Sequence, residues 1–158
     1  MRVLKYLLIS ATLATPLATL AVDNHAHGKT AQHAIELNAG KKWDTDEPLR
    51  QGMTAIHASV AAILPKAHAG KATAADYDKL SKDVNAQVAY IVQNCKLTPE
   101  ADAQLHTVIA EILAGAETAQ GKHKGKGRAS GVVQIAQGLN TYGGHFGHAG
   151  WKTIDLSH

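Results

Sequence analysis

The sequence predicts an all-α protein: an up-down-up-down four-helix bundle preceded by a signal peptide and a flexible, histidine-containing arm. Three observations lead there. Four segments carry apolar residues at three- and four-residue spacing, each opened and closed by recognisable start and stop signals. Alanine is abundant while phenylalanine occurs once, which favours helices over a β-sandwich. The connections between successive segments are short, as antiparallel neighbours require. No strand pair and no internal repeat stands out.

The first element is the stretch MRVLKYLLISATLATPLATLA, residues 1–21. Arg2 and Lys5 make a positive start, an apolar run follows, and small residues lead to Ala21, the pattern of a cleaved signal peptide. The run is too short and too broken by threonine and Pro16 to span a bilayer, and no membrane span is expected elsewhere. Cleavage at Ala21 would leave about 137 of the 158 residues, enough for one domain with its own core. The expected location is the periplasm. Residues 22–42 are polar and aperiodic and read as a flexible arm with a short ordered end. Residues 43–158 are the bundle domain with a C-terminal aromatic and histidine lid.

The first helix of that domain starts at TDEPLRQGM, where Asp46, Glu47 and Pro48 suit a first turn, and runs to Ala69 with Gly70 as its stop. Pro65 implies a kink or an early end. The second opens at Thr73 as cap and continues to about Cys95, with Tyr77, Leu80, Val84, Val88, Ile91 and Cys95 on one face. The third begins at TPEAD, with Thr98 as cap and Pro99 in the first position. The basic stretch GKHKGKGRAS then reads as a solvated loop, with anion binding a lesser reading. The fourth carries Val132, Ile135, Leu139 and Tyr142 and is expected to break at Gly143 and Gly144.

In this topology one end of the bundle gathers Met53, His57, Cys95, His106, Tyr142, His145 and His148. Trp43, Tyr142, Phe146 and Trp151 would form a lid over it. Cys95 is the only cysteine, so in an oxidising compartment it has no partner in its own chain. It is buried and inert, bridged to another molecule in a homodimer, or bound to a ligand. Thioether, thiol and imidazole together suit a soft transition metal, above all copper, whereas calcium or magnesium would require oxygen ligands. The metal set expected is Met53, Cys95 and His106, with His57, His145 and His148 as auxiliaries. Met53 and His57 are one turn apart and can face one ion.

Each residue also has a plain structural reading. Met53 fits a core filler, Cys95 a small buried hydrophobe, and His106 a donor to a carbonyl or to Glu111. His25, His27 and His33 on the arm form a separate candidate that collects metal weakly. Cleavage after Val22 would also place His25 third from a free amine, an arrangement that binds Cu(II).

The rival cofactor is haem b, because exported bundles of the cytochrome c prime and cytochrome b562 types share this architecture. There is no C-x-x-C-H for covalent attachment, only NCKL around Cys95. A haem held by Met53 and His106 would have to cut across the core between diagonal helices. An enzyme is not expected, since no nucleophile has a positioned base and the carboxylates cluster at helix starts. Near-neutral charge once Arg2 and Lys5 leave with the signal argues against a nucleic-acid binder, which needs a concentrated basic face. A metal-free periplasmic adaptor or stress protein is the remaining class.

The stretches LNAGKKWDTDEPLRQGM, IVQNCKLTPEADAQLH and LNTYGGHFGHAGW resemble a family of small proteobacterial exported helical proteins. The resemblance covers most of the chain after residue 36. It implies export and a helical fold, and implies no particular activity. The functional expectation is a periplasmic protein that binds copper for buffering or for delivery to a metal-handling partner.

Overall fold

Three of the four helices described start where a side chain or a proline takes care of the first turn's unpaired amides. The computed structural model describes residues 34–157, in which four helices follow one another: α1 (Glu47–His68), α2 (Ala74–Asn94), α3 (Pro99–Ala119) and α4 (Arg128–His145). Asp46 Oδ1 accepts from Leu49 N at 3.0 Å to cap α1. Thr73 and Asp76 cap α2 reciprocally, the Thr73 hydroxyl accepting from Asp76 N at 3.2 Å and the Asp76 carboxylate from Thr73 N at 2.8 Å. Thr98 accepts from Ala101 N at 3.3 Å and Pro99 occupies the first position of α3. The N-cap of α4 is Gly127, which has no side chain to offer.

Two sequence expectations need correction. α1 does not end at Pro65 but continues to His68. Proline there lies in the last turn, so one missing helical hydrogen bond is the only loss, and the turn is closed by Gly70 at φ 64° with Lys71 N donating to Lys66 O at 2.8 Å. α4 does not break at Gly143 and Gly144 but runs through both to His145. Packing explains it: a Cβ on Gly143 would overlap the indole of Trp151, so this glycine admits a neighbour rather than ending a helix.

Each helix packs on the next and α4 closes on α1, giving the four-helix bundle. The interior is aliphatic, with Leu49, Met53, Ile56, Val60, Val84, Ile112, Ile135 and Leu139 fully or almost fully buried. α3 and α4 approach so closely that a Cβ on Gly131 would strike the backbone at Ala119 and Gly115. Ser81 and Thr118 are the polar exceptions inside among the described residues, their hydroxyls donating to Ala116 O at 2.8 Å and to Ala114 O at 3.0 Å. No helix among the described residues is long and apolar enough to cross a membrane.

The segments flanking the bundle tie together at one end. Trp43 N donates to His145 O and Gly147 N to Trp43 O, both at 2.8 Å. Residues 34–42, the end of the expected arm, form a tight turn between Asn38 and Lys41, and Glu36 N donates to Gln104 Oε1 at 2.9 Å. Beyond α4 the chain returns as a strap. Asn140 holds it at both sides of one residue, donating to Ile154 O at 2.9 Å and accepting from Ile154 N at 2.8 Å.

Candidate functional site

Ring packing and two anchored imidazoles define the lid end. Tyr142 and Phe146, one turn apart at the end of α4, stack with centroids 5.3 Å apart. The strap then folds Trp151 against Tyr142 edge to face at 4.8 Å. Two histidines flank that indole. His57 from α1 lies 5.0 Å from it, and His148 from the strap 4.9 Å. With Thr54, Gly150 and Lys152 they line a hollow of about 170 Å³.

Each of the two imidazoles is held by one nitrogen. His57 Nε2 is 2.9 Å from Lys152 O, and because a carbonyl only accepts, Nε2 carries a proton, which in the neutral ring leaves the lone pair on Nδ1. His148 Nδ1 is 3.0 Å from the Tyr142 hydroxyl, a contact either group can donate. A cation on His148 Nε2 would select the tautomer in which Nδ1–H donates to the phenol oxygen. Neither His57 Nδ1 nor His148 Nε2 has a hydrogen-bond partner among the described residues. Burial lowers the pKa of His148, and the Arg50 charge lowers it further against the opposing pull of Glu47. The ring is therefore biased towards the neutral form that ligates metals. Burial likewise pushes the Tyr142 phenol well above its ordinary range.

The sulfur donors lie elsewhere. Met53 is fully buried in the core. Cys95 is the C-cap of α2, half-buried, with its thiol donating to the Asp46 carboxylate. Burial and that carboxylate push the thiol pKa up to about 12, so Cys95 is protonated and inert at neutral pH. Asp46 joins three elements: besides capping α1 and receiving the thiol it accepts from Lys96 N. These hydrogen bonds outweigh its desolvation and lower its own pKa. The opening TDEP signalled Asp46 as a first-turn residue, but nothing local signalled its pairing with Cys95.

His106 is exposed on α3 and donates from Nδ1 to Asp102 O at 2.8 Å, with the Asp102 carboxylate 3.4 Å away. His145 is tied in the same way to Thr141 O at 2.8 Å. Of the expected ligands, then, His57 and His148 are brought to one ring, while Met53 faces the core, Cys95 faces Asp46 and His106 faces solvent. No three His, Cys, Asp or Glu side chains gather as a metal-holding group among the described residues. The expected lid residues Tyr142, Phe146 and Trp151 do pack together, and Trp43 joins through its backbone bridge to Phe146. His25, His27 and His33 lie outside the described residues. Comparison with known proteins gives no matching family model, no matching curated protein and no matching solved structure.

Proposed function

We propose that the protein is an exported, periplasmic four-helix protein that binds a transition-metal ion, copper first, for buffering or delivery. The observation that supports this is the pair of imidazoles flanking Trp151, each with one nitrogen anchored and the other unpartnered among the described residues. Histidines that ligate metals characteristically donate their second N–H to a carbonyl or a polar side chain, which orients the ring. Here Lys152 O and Tyr142 Oη take those roles. With sulfur outside the pair, softness no longer argues for copper, but the order of divalent affinities at nitrogen sites still favours it.

The test is a copper titration in competition with a chromophoric chelator, in both oxidation states. His57→Ala/His148→Ala is expected to weaken binding by more than about tenfold. Cys95→Ser/His106→Ala is expected to keep the parent's affinity. Loss in the second variant and not the first would return the site to the sulfur set, and no copper binding by the parent would end the metal reading.

A further inference from the structure

The end of the bundle opposite the lid gathers the end of α1, the start of α2, the end of α3 and the start of α4, and its charges are unevenly committed. The carboxylates there are engaged within the protein. Asp76 caps α2 through Thr73, Asp78 pairs with Arg128, and Glu117 faces Lys122 and His123 at 4.0 and 3.7 Å. Lys66, Lys71, Lys124 and Lys126 are exposed and belong to no ion pair among the described residues. The lid end is mixed in sign: Asp44, Glu47, Glu100 and Asp102 stand in its turns and first helical turns beside Lys41, Lys42, Arg50 and Lys96.

Among the described residues no large apolar side chain is exposed at the basic end. The exposed large apolar side chains among the described residues are Leu37 and Val92, before α1 and near the end of α2, on the lid side. Stable protein interfaces are centred on buried aromatic or aliphatic anchors. Nucleic-acid surfaces add aromatic or arginine readout, and Arg128 is already spent on Asp78, Ala119 O and the Tyr77 ring. Dispersed lysines without such features match a plane of anionic headgroups, to which each contributes independently. We propose that this end docks on an anionic lipid surface and so orients the molecule with its lid end away from the bilayer.

The test is co-sedimentation of the full chain with phosphatidylglycerol-containing vesicles at low salt, beside pure phosphatidylcholine vesicles. The parent is expected to bind the anionic vesicles alone and to be released at high salt. Lys124→Gln/Lys126→Gln should bind about 30-fold more weakly. Lys41→Gln/Lys96→Gln, an equal loss of charge at the lid end, should bind like the parent. Equal binding to both vesicles, equal loss in both variants, no binding by the parent, or displacement from the vesicles by a duplex oligonucleotide would each overturn the proposal.

Discussion

Gly143 and Gly144 stand side by side in the last turns of α4, and replacing each by alanine should move stability in opposite directions. Alanine is favoured over glycine in a helix by about 1 kcal/mol, less near an end. At Gly144 nothing lies within 4 Å of an added Cβ, so Gly144→Ala should stabilise by about 0.5–1 kcal/mol. At Gly143 the Cβ would overlap Cδ1 and Nε1 of Trp151. The indole must leave its seat against Tyr142, and the strap moves with it. Complete removal of a buried tryptophan side chain costs about 3–5 kcal/mol; for this half-buried ring about 2–3 is appropriate, which leaves Gly143→Ala about 1–2 kcal/mol less stable than the parent. The two variants should then differ in Tm by about 10 °C in a domain of this size. Thermal unfolding followed by far-UV circular dichroism reads this directly. Tryptophan emission should shift to the red in Gly143→Ala alone, and copper affinity should fall with it because Trp151 sets the spacing of His57 and His148. Equal Tm values with unchanged emission would refute the packing role given to Trp151.

Three further outcomes are expected. Gly131→Ala should destabilise by about 1–3 kcal/mol by chemical denaturation despite its helix propensity, because the new Cβ meets the backbone of α3, which cannot rotate away. Asp46→Asn keeps a capping side chain but removes the charge beside Cys95. Thiol alkylation should accelerate and its pH midpoint should fall from about 12 towards the ordinary 9.0, whereas in the parent the raised pKa contributes stability that is complete below pH 9 and is lost as pH rises from there towards 12. The depressed pKa of His148 has the opposite sense. Below pH 6.5 the unfolded chain binds this proton before the native state does, so Tm should fall as the medium is acidified from pH 7, and His148→Gln should reduce that slope.

The helical scaffold was largely legible in the sequence because its signals are local. Asp46, Thr73 and Thr98 act within three residues of themselves, and the apolar stripes report a face that any helix of that register must bury. What failed were residues whose meaning depends on a distant neighbour. Gly143 resembles a helix stop until Trp151 is known to lie on it, and Pro65 resembles an early end until it is known to occupy the final turn. The site was legible in height and not in direction. Rise along a helix brought Met53, His57, Cys95 and His106 towards one end, but the angle around the axis separates them. Met53 points inward and His106 outward, and His57 meets a strap whose path over Asn140 has no periodic signature. Cys95 shows the same limit, since its pairing with Asp46 spans two helices and a turn.

The most direct test of the central claim is a long-range ¹H–¹⁵N spectrum of the imidazoles before and after one equivalent of Cu(II). The account expects selective paramagnetic broadening of the His57 and His148 rings, with the His106 ring unchanged. Broadening of His106 with His57 and His148 unchanged, or no selective effect at any imidazole, would contradict it.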